Sequence, residues 1–187
     1  MSDEEPFAAA YRAHYWAVSR FVARRLGGQR ADVEEVVADA FVVAWRRRHE
    51  LPAEPLPWLY GVARYCLANA VRGAGRHRRL LQRIGHHTVA HRAHVVDSPA
   101  AGTPGDWVHE ALAQLPEADQ EVLRLTAWEG LEARDIAIVV GCSTHAATMR
   151  VHRARRRLRE RIDALPVHRA VPAATTTVPD AAERQRP

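Results

Sequence analysis

The chain has no lysine. Its 27 basic side chains are all arginines, set against 22 acidic ones for a net charge of +5. With alanine and valine abundant, this pattern reads as the product of a high-GC genome, so the missing lysine is not in itself an argument for guanidinium chemistry. Cysteine is nearly absent too. Cys66 and Cys142 are too few for a disulfide framework or a zinc knuckle, and both sit where an apolar residue would serve, so both are expected in the core. No apolar run approaches membrane-spanning length, and the acidic start MSDEEPFAAA lacks an apolar signal core, which predicts a cytoplasmic protein without membrane insertion. There is no phosphate-binding glycine loop, paired-carboxylate site or nucleophile motif, so no residues support an enzyme and none call for a cofactor.

Acid is also missing from one long stretch. Between Glu54 and Asp97 there is no acidic residue but there are seven arginines, and a second group of seven lies between Arg150 and Arg161 with only Glu160 to offset it. Two basic blocks imply two contacts with a polyanion. With 187 residues, 47% of them hydrophobic, the chain can bury one ordinary core or two small helical ones.

The hydrophobic periodicity is helical throughout, which predicts an all-α fold. Residues 7–26 align Phe7, Tyr11, Val18, Phe21 and Val22 on one stripe, and Gly27-Gly28 supplies a stop. Asp32, with Glu35 three positions on, has the spacing of a capping box before Val33, Val36, Val37, Ala40, Phe41, Ala44 and Trp45. The proline-rich HELPAEPLP is a connection. From Pro57 a third helix sets Leu59, Val62, Ala63, Cys66, Leu67, Ala70 and Val71 on one face, with Arg64, Tyr65, Asn69 and Arg72 on the other. Trp58 is assigned to the core at its start. Residues 84–105, rich in His, Pro, Gly and Ala, have the composition of a flexible linker. Helical signals resume at Asp106, continue past Pro116 to about Gly130, and return from Ala133 to Val140. After Gly141, Ser143 caps a last helix with Ala147, Val151, Ala154, Leu158 and Ile162 inward. The tail, residues 166–187, has no periodicity and four prolines, which predicts disorder.

Residues 131–158 have the shape of a helix-turn-helix, a pattern that ordinary helical bundles also contain. The arginines favour DNA. One or two would complement the helix dipole, but seven in twelve residues repel one another unless an anion is present. Off the buried stripe stand His145, Thr148, Met149, His152, Arg153 and Arg156: polar groups sized for base edges come first, and cations suited to phosphate follow.

The stretch LPEADQEVLRLTAWEGLEARDIAIVVGCSTHAATMRVHRARRRLRE resembles region 4 of the sigma-70 family, in the compact extracytoplasmic-function (ECF) type. ADVEEVVADAFVVAWRRR followed by PWLYGVARYCLANAVR resembles region 2, in the family's order. The resemblance implies two small helical domains, a region 2 three-helix core over 1–83 and a region 4 helix-turn-helix over 106–165, joined by the 84–105 linker. It implies binding to core RNA polymerase, at the clamp of the largest subunit and the flap of the second-largest, and to promoter DNA. Many ECF factors are also held by an anti-sigma protein, and no residue here decides whether this one is. Carried over by position, Glu35, Asp39 and Val42 would face the clamp. Arg64, Tyr65, Asn69, Arg72 and Arg76 would face the opened minus-10 strand, with Tyr65 offering an aromatic surface for a captured base. Thr148, Met149, His152 and Arg153 would read minus-35 bases, with Arg150 and Arg156 on phosphates. The chain departs from the family at Ala38 and Tyr65, where glutamine and asparagine are common, and at Glu132, Ala146 and Thr148 in the helix-turn-helix.

Two other readings stay open on the residues. One is a free-standing helix-turn-helix regulator that binds duplex DNA without polymerase. The other is a metal-responsive regulator using His77, His86, His87, His91 and His94, although that segment has no cysteine or acidic companion.

Overall fold

A computed structural model describes residues 3–26, 30–83 and 106–165. The expected linker and tail, with His86, His87, His91 and His94, lie outside the described residues, as do the side chains of Arg76 and His77. Among the described residues there are seven α-helices and one short 3-10 turn, with no strand. The helices are α1 (Glu4–Leu26), α2 (Arg30–Arg46), α3 (Pro55–Arg83), α4 (Asp106–Ala113), α5 (Glu117–Ala127), α6 (Ala133–Val140) and α7 (Thr144–Ala164).

Local chemistry accounts for most boundaries. Glu4 and Glu5 open α1 and Arg24 and Arg25 close it, each set complementing the end of the helix dipole it occupies. Pro55 and Pro57 lie in the first turn of α3, where a missing N–H leaves no hydrogen bond unmade. Gly141 takes the left-handed conformation, φ 69°, that stops α6, and the Ser143 side chain accepts a hydrogen bond from the Ala146 N–H to start α7. One expectation shifts, and one helix outruns its apolar stripe. Helix α2 begins at Arg30, so Asp32 sits in its first turn as an acid near the positive end rather than as the cap. Helix α3 continues through Gly73 and Gly75 to Arg83, past the point where its apolar pattern fades.

The cores follow the predicted stripes with informative exceptions. Phe21, Val18 and Val22 of α1 are sealed against Val37, Ala40 and Ala44 of α2 and Leu59 and Ala63 of α3. In the second half Val122 and Leu125 of α5, Ile136 of α6 and Ala147 and Ala154 of α7 are fully enclosed. Each large side chain so buried contributes about 1.5–3 kcal/mol. Cys66 is buried, and Cys142 is half-buried against the same core. Tyr11, Trp45, Ala70 and Val71, all placed on apolar stripes by periodicity, are exposed.

The sequence does not predict that the two halves meet. Helix α3 packs on α1 and α2 along one side and on α6 along the other, so the buried residues of both halves form one continuous cluster.

Candidate nucleic-acid interface

The last two helices present a formed helix-turn-helix. The Cys142 N–H donates to the Ala137 carbonyl at 3.0 Å across the Gly141 turn, closing the end of α6. Ala147, Val151 and Ala154 fix the inner face of α7. Every expected DNA-reading residue therefore falls outward: Thr148, Met149, Arg150, His152, Arg153 and Arg156 are all exposed. Their local bonds differ. The Thr148 hydroxyl donates to the Thr144 carbonyl at 2.9 Å, and Arg153 Nε donates to the Met149 carbonyl at 3.3 Å, which leaves the outer guanidinium nitrogens of Arg153 without a partner among the described residues. Arg156 lies 3.6 Å from Glu160. The arginine run is not wholly free: Arg157 donates to Asp119, a buried acid on α5, and so pins α7 to its neighbour.

The outer face of α3 forms a second basic surface. Arg64, Tyr65, Asn69 and Arg72 are exposed, Tyr65 by 59%. Arg72 donates to the Asn69 side-chain oxygen at 2.6 Å, which holds both on that face. Arg64 and Tyr65 line a cavity of about 630 Å³ together with Arg46, Arg47 and Trp58 on one side and Ile138–Gly141 on the other. Arg46 and Arg47 were not singled out from the sequence, although the run Arg46-Arg47-Arg48 at the end of an apolar helix was a visible charge signal, and Trp58 was assigned to the core. The Arg47 guanidinium lies 5.6 Å from the Trp58 ring and donates to Glu50. That hydrogen bond raises the pKa of Arg47 and lowers that of Glu50. Trp58 is half-buried, with its ring on the cavity wall rather than sealed in the core.

A third surface lies on α2. Glu35, Asp39 and Val42 are exposed on one face at i, i+4 and i+7. Val42 and Trp45 border a groove of about 370 Å³ with Tyr11 and Phe41. Trp45 meets Phe7 edge-on at 5.1 Å and remains 38% exposed. Periodicity assigned it to the core, and the structure makes it the aromatic rim beside Val42. Asp39 also bears on α3: burial first, and then this carboxylate, push the Cys66 thiol up. Among the described residues no group of three or more His, Cys, Asp or Glu side chains is placed to hold a metal ion, and no helix is long and apolar enough to cross a membrane.

Comparison with known proteins matches residues 10–77 to the family described as Sigma-70 region 2 and residues 105–158 to that described as Sigma-70, region 4. The RNA polymerase sigma factor CarQ of Myxococcus xanthus is 30% identical over 167 residues, covering 84% of this chain and 89% of its own length. The chain belongs to the sigma-70 family, in its ECF type. The ECF RNA polymerase sigma factor SigD of Mycobacterium tuberculosis is 32% identical over 156 residues, 74% of this chain and 65% of that one. The sigma factor RpoE of Bartonella quintana, solved in complex with the anti-sigma factor NepR, shares the fold with a TM-score of 0.58 at 22% identity, over 86% of this chain and 98% of its own. The region 2 match spans most of α1 to α3, and the region 4 match spans α4 to most of α7. Sigma factors are DNA-binding transcription initiation factors, so the basic faces of α3 and α7 belong to a protein of promoter recognition.

Proposed function

We propose that this ECF sigma factor divides its work among the three exposed faces. Glu35, Asp39 and Val42 on α2 dock on the clamp of the largest polymerase subunit. Arg64, Tyr65, Asn69, Arg72 and Arg76 on α3 receive the opened minus-10 strand, with Tyr65 as the stacking surface. Thr148, Met149, His152 and Arg153 on α7 meet minus-35 base edges while Arg150 and Arg156 hold phosphate. On this reading residues 1–83 and 106–165 are the two working domains, 84–105 connects them and 166–187 is a tail. The protein performs no covalent chemistry, needs no cofactor, and works in the cytoplasm beside the polymerase it directs.

The observation that carries the proposal is the alternation along α7. Buried Ala147, Val151 and Ala154 alternate with exposed cations along α7, five of which have no ion-pair partner among the described residues: Arg150, Arg153, Arg155, Arg159 and Arg161. An unneutralised row of this kind on a capped helix is suited to a polyanion. Reconstituted transcription with core polymerase and genomic promoter fragments tests it. Asp39→Arg is expected to weaken core association. Arg153→Ala is expected to spare core association and reduce promoter use by about 1–3 kcal/mol. If both substitutions impair only the binding of duplex DNA by the isolated protein, a free-standing regulator is the better description. The RpoE structure contains an anti-sigma factor, and we extend that kind of partner to this chain. Its test is co-purification with the product of the adjacent gene, lost when the two are expressed separately.

A further inference from the structure

The inner face of α7 is made of small side chains. Ala147, Val151 and Ala154 are buried, and Leu158 is half-buried against the same core. Such a face lets the helix sit close to its neighbours, but apolar burial has no direction of its own. It holds α7 down more firmly than it resists a turn of α7 about its own axis. Direction matters for a helix whose outward residues meet base edges: a rotation of about 20° carries a group ~6 Å from the axis through ~2 Å, which breaks a hydrogen bond.

One polar tie supplies that direction. Asp119 is the buried charged residue of the described core, with its side chain 12% exposed. It stands at the third position of α5, where an acid ordinarily reaches back to the N–H of the capping residue. The residue at the cap is Pro116, which has no N–H, and no side-chain cap forms there. The carboxylate is therefore free to leave its own helix, and it accepts from Arg157 of α7. Thr148, Arg153 and Arg156, by contrast, find their partners within α7 itself. The Asp119–Arg157 pair is also a poor source of stability, because taking the carboxylate out of water offsets much of the attraction, and an apolar pair of similar size does as well. What an apolar pair cannot do is fix an angle.

We propose that Asp119 is a positioning residue for promoter reading. By holding Arg157 it sets the rotation of α7, keeping Thr148, Met149, His152 and Arg153 in the outward direction they have here, and it withdraws Arg157 from the arginines open to phosphate. The proposal rests on the DNA-reading role given to α7 above.

The test is the double exchange Asp119→Leu/Arg157→Met in the full chain, assembled with core polymerase. Affinity is measured over a salt series for a genomic promoter fragment that the wild type transcribes, and for the same fragment with its minus-35 block shuffled. The thermal midpoint of the variant is expected to stay at or above that of wild type. Its preference for the intact fragment is expected to fall about tenfold, the worth of one bidentate base contact. The slope of log affinity against log salt should not change, since no phosphate contact is removed. A variant that keeps the wild-type preference overturns the proposal, because the pair is then structural only. A slope lower by about one also overturns it, because Arg157 is then a phosphate contact.

Asp119→Asn, which keeps the shape and drops the charge, carries the test where the apolar pair does not fold. Amide NMR of this variant as the free chain is expected to show shift changes running back along α7 to Met149, ~12 Å from Arg157. Changes confined to the turns around Asp119 and Arg157 overturn the proposal. A wild type that initiates on no fragment would sink the sigma reading, and the amide result would then decide the positioning claim alone.

Discussion

Tyr60 shows how one side chain sets a pH response. Its ring is stacked on Phe21 at 4.7 Å and it is only 4% exposed. Burial first, and then the Glu129 carboxylate, raise its pKa above the ordinary value near 10, while Arg24, Arg20 and Arg25 oppose the shift. The Cys66 thiol moves in the same direction from about 9. A folded pKa raised above the unfolded one contributes stability that is whole below the unfolded value and drains as pH climbs through the folded value. Stability should therefore hold from neutrality to about pH 9 and fall beyond it. The absence of lysine clears this window, because no side-chain ammonium titrates there and the guanidinium groups stay charged. Tyr60→Phe keeps the stacked ring and removes the ionisable group. Urea denaturation is expected to show a change within ~1 kcal/mol at pH 7 and a smaller alkaline loss than wild type at about pH 10.5. An equal loss in both proteins would assign the alkaline sensitivity to other groups.

Among the elements, the α6–turn–α7 unit carries the sharpest sequence signals and the clearest mutational expectation. Gly141→Ala places a Cβ at φ 69° and should cost about 1–2 kcal/mol. Ser143→Ala removes the acceptor of the Ala146 N–H, 3.2 Å away, and should cost about 0.5–2 kcal/mol. Thermal unfolding checks both, with promoter binding by Ser143→Ala expected to weaken no more than its stability does. This unit was legible because a left-handed glycine and a serine cap act within one or two residues of where they stand. The continuation of α3 through Gly73 and Gly75 was not legible, since its apolar stripe ends at Val71 and glycine adds no helical signal there. Exposure was harder still to read. Periodicity gives the angle of Trp45 around α2 but not whether anything covers that angle, and Tyr60 lies off the predicted stripe because α3 is covered on two sides. Arg157 illustrates the same limit for charge: a census of arginines counts it with the DNA-facing run, whereas its partner Asp119 sits 38 residues away on another helix.

On the scale of the whole molecule, what the sequence left unseen is the seam between the two halves, because each half has its own stripe, caps and turns and none of these encodes the other half's position. Gly61 is the residue at which that long-range packing can be addressed without touching the ion pairs that Arg24 and Arg25 make with Glu121 and Glu129. Its nearest neighbours across the seam, the Ile138 oxygen at 3.6 Å and the Val139 Cα at 3.7 Å, leave ordinary van der Waals room for one carbon. Gly61→Ala should therefore fit and, by reducing the entropy of the unfolded chain at a helical position, stabilise the protein by about 0.5–1 kcal/mol. Gly61→Ile extends further carbons towards the α6 backbone, which cannot retreat as a flexible side chain would. The closed packing should then yield, with a larger radius of gyration than Gly61→Ala at equal helix content. Because isoleucine leaves Arg24, Arg25, Glu121 and Glu129 unchanged, a larger radius of gyration in this variant would report on the α3–α6 contact alone. Scattering from Gly61→Ile that matches Gly61→Ala would instead mean that α3 and α6 are not in contact in solution.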